Sequence, residues 1–187
     1  MSSLPDSLLE VGKEVAAFYS SGNPAETPPY ILYVYLPKEE FLLRRDLTDL
    51  QTWLRARGVN CVAVSVATLF WQAVEQAGYL DQIFSEEENR PAGDETLQEL
   101  HTSINQILTG PPSLADRVLD ALQGHDGNCA AFLYRTGALY PSYRTSALLE
   151  DLRERLPIPV VLLYPGRLVG SYGLPVSYAK LAAYTSE

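Results

Sequence analysis

The chain has 187 residues, 47% of them hydrophobic and 20% charged, with a formal net charge of −9 and a pI near 4.7. This length and composition suit one compact core and exclude a disordered chain. The acidic balance repels a phosphate backbone, so direct nucleic-acid binding is not expected, and no apolar run reaches the roughly 18 residues that a membrane span needs.

Taken in chain order, Leu4 to Tyr19 carries Leu8, Leu9, Val15 and Phe18 at helical spacing, with Gly12 weakening the middle. The N-terminus lacks a positive region followed by an apolar stretch, so a cytoplasmic address is expected. Ser20 to Pro29 is dense in turn formers and reads as a linker. Residues 1–29 are thus expected to be a helix and linker packed on or leading into a domain spanning 30–187.

Tyr30 to Leu36 is an almost continuous run of aromatic, β-branched and aliphatic residues, as in a strand covered on both faces. Pro37 ends it, and Lys38-Glu39-Glu40 opens a helix with Leu43, Leu47, Leu50 and Leu54 on one side and Gly58 as its stop. Asn60 to Ala67 reads as a second buried strand. The connection between the two strands is long enough for a parallel crossover and too long for a hairpin.

Thr68 to Phe84 reads as helix, Ser85 to Asp94 as an exposed loop, and Glu95 to Leu108 as helix again. Gly110-Pro111-Pro112 breaks that helix, and Ser113 can cap the next, with Leu114, Val118, Leu119 and Leu122 inward and Gly124 as its stop. Asn128 to Tyr134 is a third strand, Tyr143 to Leu156 a helix, and Pro157 to Tyr164 a fourth strand. Val176 to Ala183 can add a short edge strand. The expected fold is α/β, a three-layer αβα arrangement with a mainly parallel sheet of four to five strands and a helical insert between strands two and three.

No catalytic motif emerges. After the first strand stands Leu36-Pro37-Lys38-Glu39 where a phosphate-cradling glycine loop would have to be, and no Gly-x-Gly-x-x-Gly occurs. Cys61, Cys129, His101 and His125 are too isolated to propose a metal site, and both cysteines sit in strand-like runs where a thiol behaves as a small hydrophobe. Neither a cofactor nor a metal is expected. The basic clusters Arg44-Arg45, Arg55/Arg57 and Arg153/Arg155 each have acidic neighbours on their own helix and read as solvated helix faces.

In an open α/β sheet, ligands and partners meet the carboxyl ends of the strands. The richest of these is the stretch from Tyr134 to Arg144, which brings Arg135, Tyr140, Tyr143 and Arg144 to one turn, and the fourth strand adds Tyr164 and Arg167. Such tyrosines can pack loops onto sheet ends and such arginines cap helix or loop carbonyls; if the cluster recognises something instead, arginine forks with tyrosines suit an anionic group or an acidic partner surface.

The block Phe132-Leu133-Tyr134-Arg135-Thr136-Gly137-Ala138-Leu139-Tyr140-Pro141, with Arg144 and Leu148-Leu149, followed by Ile158-Pro159-Val160-Val161-Leu162-Leu163-Tyr164-Pro165-Gly166, resembles the paired signature of the BrxB proteins of bacteriophage-exclusion (BREX) systems. The likeness runs from the first strand onward, and relative to it the chain is expected to be short after Gly170. It implies a small accessory factor of antiviral defence without catalysis, working beside the phosphatase-superfamily protein PglZ or other BREX components. The competing reading from the residues alone is a nucleotide- or phosphate-binding α/β domain, or a hydrolase, lacking a standard P-loop.

Overall fold

A computed structural model describes residues 4–22, 27–81, 94–125, 127–153 and 155–166, and the backbone of 178–180; for 94–96 also the backbone alone is described. In chain order the elements are α1 (Asp6–Ser20), β1 (Tyr30–Tyr35), a 3₁₀ turn (Pro37–Glu39), α2 (Glu40–Arg55), β2 (Asn60–Ser65), α3 (Val66–Gln76), α4 (Asp94–Thr109), α5 (Leu114–Ala121), β3 (Cys129–Tyr134), a second 3₁₀ turn (Thr136–Leu139), α6 (Thr145–Arg153), β4 (Val160–Pro165) and β5 (Tyr178–Lys180). The expected loop from Ser85 falls outside the described residues, apart from Asp94. The helix read from Thr68 to Phe84 instead stops at Gln76, where Gly78 at φ 70° turns the chain and the Tyr79 N–H donates back to the Val74 carbonyl at 3.1 Å. Two compact units form. One comprises Met1–Val64, Gly124–Arg135 and Pro157–Glu187; the other comprises Ser65–Gln123 and Thr136–Leu156.

The first unit holds a mainly parallel sheet in the order β2-β3-β4-β1-β5. β4 pairs in parallel with β1, Tyr30 against Val160 through Tyr35 against Pro165, and with β3, Ala131 against Val160 through Leu133 against Leu162. β5 runs antiparallel to β1. Because side chains alternate along a strand, Phe132, Val161 and Ile31 form one row across the sheet and Leu133, Leu162 and Leu32 another on the opposite face. Leu133 and Leu162 are buried as fully as Phe132 and Val161, which is why β3 and β4 carry no polar alternation.

Helices α1 and α2 cover the first of these faces. Leu8, Val11 and Val15 of α1 and Leu43, Leu47, Leu50 and Leu54 of α2 join Ile31, Phe132, Val161 and Leu163 in one core. The N-terminal helix is therefore part of the core, although its Gly12 counts against it on propensity. Gly12 is needed for packing: a Cβ there would stand 2.6 Å from Leu50 Cδ1 and 3.4 Å from the Trp53 ring. Tyr19 ties the end of α1 to the start of β3, its hydroxyl accepting from the Cys129 N–H at 3.1 Å and donating to the Cys129 carbonyl. At the end of α2, Gly58 adopts φ 76° and turns the chain, and the Val59 N–H donates back to the Leu54 carbonyl at 3.1 Å.

Several elements differ from the reading of the sequence. β2 is not a doubly buried strand: it lies at the sheet edge, with Asn60 and Ala63 exposed and Val64 its one buried side chain. Val66 and Ala67 belong to α3, because the Ser65 hydroxyl accepts from the Thr68 N–H and caps a helix at that point. α6 opens at Thr145 instead of Tyr143, and β4 at Val160, once Pro157 and Pro159 are passed.

In the second unit, α3 packs against α4, α5 and the Thr136–Leu139 turn, and α5 packs against α6. Val66, Phe70 and Val74 of α3, Leu108 of α4, Leu114 and Val118 of α5, and Leu148 and Leu152 of α6 are among its buried side chains. Among the described residues the helices α3, α4 and α5 lie between β2 and β3, but they are not a unit by themselves, so they do not form the self-contained insert the sequence suggested. The segment after β3 completes the unit. Ser113 and Asp116 cap α5 reciprocally, the Ser113 N–H reaching Asp116 Oδ2 at 2.7 Å and the Asp116 N–H reaching Ser113 Oγ at 3.2 Å. Arg155 adds a 2.6 Å ion pair to Asp116 Oδ1.

Two stability experiments follow. Gly12→Leu should overfill the α1–α2 contact and lower the unfolding free energy by about 1–3 kcal/mol in urea titrations, an overpacking cost. Arg155 first, and then the Ser113 N–H and hydroxyl, hold the Asp116 carboxyl down at about 2. A depressed carboxylate stabilises the fold above its unfolded value of about 4 and loses that contribution as pH falls through its folded value. Thermal melts should therefore show a loss between about pH 4 and about pH 2 that Asp116→Asn removes. Ser113→Ala should cost about 1 kcal/mol at neutral pH.

Candidate functional site

Because β1, β3 and β4 run parallel, their carboxyl ends emerge along one edge of the sheet. β3 ends in Tyr134 and hands over to Arg135, which is exposed and, among the described residues, the one non-glycine residue at positive φ (58°). Close approach of Cβ to the following carbonyl oxygen disfavours that conformation for an L residue by about 1–2 kcal/mol. Tyr164, half-buried, ends β4 beside Val34 of β1. The β3–β4 pairing ends at Leu133 and Leu162, so Arg135 and Tyr164 each lie two residues past it, at the same end of the two strands. The Gly166 N–H donates to the Tyr35 carbonyl at 2.8 Å and closes the ends of β4 and β1 together. Arg167 lies outside the described residues.

The other three candidates belong to the helical unit, on the turn between the second 3₁₀ segment and α6. Tyr140 is 82% exposed, and Arg144 is exposed at the start of α6. Tyr143 is different: it is 6% exposed, its N–H donates to the Leu139 carbonyl at 2.8 Å, and burial, followed by the nearby Asp151 charge, pushes its phenol up to about 12. It anchors the turn and is not available as a contact. Of the six candidates, then, Tyr140 and Arg144 share one exposed turn, and Arg135 and Tyr164 share the strand ends.

The residues that hold this turn were not among the candidates. Asn105 Nδ2 donates to the Ser142 carbonyl at 2.8 Å, and His101 Nδ1 pairs with Ser142 Oγ at 2.9 Å. His101 and Asn105 stand four apart on α4, so they lie on one face of it. That spacing is the signal a reader of the sequence could have used, but nothing in the chain says that Ser142, far along it, is the target. A serine hydroxyl against an imidazole is also the geometry of a nucleophile and its base. Among the described residues, however, no carboxylate pairs with His101 to orient it, and the Asn105 bond to the same residue makes the pair part of a brace.

The thiols are unsuited to attack. Burial, followed by the neighbouring Cys129, pushes Cys61 up to about 12 against a smaller opposing effect of Arg55, and burial raises Cys129. A reactive thiol needs the opposite shift. Among the described residues no three metal-ligating side chains gather, and no helix is long and apolar enough to cross a membrane.

Arg135→Gly separates the guanidinium from the backbone. Glycine accepts positive φ freely, so the variant should melt no lower than the parent. A marked fall in melting temperature would mean that the arginine side chain braces the fold.

Against known proteins, a family model described as BREX protein BrxB matches residues 62–176, about three fifths of the chain. The match begins within β2 and takes in β3, the braced turn, α6 and β4. No curated protein and no solved structure matches the chain. With more than half of its length covered by that model, the chain belongs to the BrxB family of BREX proteins.

Proposed function

We propose that the chain is a non-catalytic adaptor in BREX antiviral defence, acting in the cytoplasm by docking another protein of the system, a PglZ-like protein foremost. The observation that supports this most is Tyr140, an aromatic side chain 82% exposed on a turn that His101 and Asn105 brace from α4. Large rigid aromatics and arginines are the residues that dominate protein interfaces, and holding such a side chain in advance reduces the entropy lost on docking. Arg144, on the same turn, would supply a polar contact to an acidic partner surface. Arg135 and Tyr164 are a separate set of candidates at the strand ends of the sheet unit.

Co-purification of the chain with the PglZ-like protein of its own system tests the reading. The wild-type chain should retain that protein, and Tyr140→Ala combined with Arg144→Ala should weaken retention about tenfold or more, the scale of an interface hot spot, with an unchanged melting temperature. Equal retention by both would contradict it. The arginines also leave room for the phosphate-binding alternative. A reproducible rise in melting temperature with one member of a nucleotide panel would favour that reading over the adaptor.

A further inference from the structure

We infer that the outer face of the start of α2 is a docking surface for a protein that presents an apolar pocket ringed by carboxylates. The inference deepens the adaptor reading and rests on it.

On this segment the sequence alternates basic, acidic and apolar residues, which by itself describes an ordinary wet helix. The structure sorts them by exposure. Every acid of its first two turns is engaged with the protein: Glu39 Oε2 accepts from the Leu36 N–H at 3.2 Å, Glu40 Oε2 accepts from the Tyr35 hydroxyl, and Glu40 Oε1 is buried. Asp46 is 7% exposed and takes the Arg45 guanidinium at 3.1 Å. The bases stay in water. Lys38 and Arg44 are exposed, and Arg45 keeps 57% of its side chain in solvent despite its ion pair.

Between these cations lie Phe41, 81% exposed, and Leu42, 52% exposed. Phe41, Leu42 and Arg45 share one side of α2 at three- and four-residue spacing, with Arg44 three residues from Phe41 at its margin and Lys38 in the 3₁₀ turn just before; half-buried Asp49 bounds the strip one turn further on. Removing Phe41 and Leu42 from water would recover hydrophobic free energy that the isolated chain forgoes, and adjacent exposed apolar side chains of this size mark interaction sites. The exposed charges of this segment, Lys38, Arg44 and the paired Arg45, are all basic, on a chain of net charge −9. Complementarity therefore selects an anionic partner.

A protein fits better than nucleic acid. The overall charge opposes a phosphate backbone, and leucine beside phenylalanine suits a pocket better than a stack of bases. α2 follows β1, whose carboxyl end lies on the same sheet edge as those of β3 and β4. The strip thus stands at the same end of the sheet unit as Arg135 and Tyr164.

Phe41→Asp and Arg44→Glu, singly and together, change exposed side chains, so circular dichroism and melting temperature should be those of the parent. Each BREX protein encoded beside this chain is purified and titrated singly against the full-length wild-type chain, these variants and the Tyr140→Ala/Arg144→Ala variant. One of them should bind wild type with an affinity that falls with salt, and Phe41→Asp should weaken it about tenfold or more. Binding unaffected by the α2 variants but lost with the Tyr140/Arg144 variant would overturn this surface and leave the adaptor reading standing. Binding of none of the proteins would overturn both. Self-association, or retention of duplex DNA, abolished by the α2 variants would show a different occupant and overturn the proposal.

Discussion

The structure depends on three strands paired in parallel, β3, β4 and β1, with side chains buried on both faces. Backbone pairing fixes the rows Phe132–Val161–Ile31 and Leu133–Leu162–Leu32, and each row needs an apolar cover. On one face, α1 and α2 provide it with Leu8, Val11 and Val15 beside Leu43, Leu47, Leu50 and Leu54. That cover needs close approach, and Gly12 permits it where a Cβ would strike Leu50. The same parallel pairing sends the carboxyl ends of the strands to one edge, so the position of the exposed residues there is a by-product of how the core is satisfied.

Much of this is written in local sequence. An uninterrupted run such as Tyr30–Tyr35 can satisfy only a strand buried on both sides, and the three- and four-residue spacing of the α2 leucines suits only a helix lying on such a strand. Family membership was legible too, from the Phe132–Pro141 and Ile158–Gly166 blocks, both inside the residues the family model matches. What local sequence does not encode is neighbourhood. Cys61 to Val66 looks as apolar as a central strand, yet β2 takes the edge because β4 intervenes between β3 and β1, a fact about pairing order. Ser65 converts Val66 and Ala67 from strand to helix by capping, an effect of one hydroxyl against a run of β-formers.

The candidate residues divide in the same way. Chemistry and position along the chain find Arg135, Tyr140 and Arg144, all exposed. They cannot find that Tyr143, one residue from Arg144, turns inward, because that depends on the turn Leu139 and Tyr143 close together. Nor does a residue list separate the acids of α2 from its bases. Glu40 and Arg44 are four residues apart on one helix, and only the tyrosine at the end of β1 decides that the first is drawn in while the second stays in water.

The bond between Tyr19 and Cys129 joins positions 110 residues apart. β1, likewise, has its parallel neighbour only in β4, beginning at Val160. On a ribosome adding about 5–20 residues per second, α1 and β1 emerge several seconds before the strands that receive them. The nascent chain can pack α1 on α2 early, but β1 must wait for β4, so the sheet cannot assemble until residues about 130 positions further along have been made.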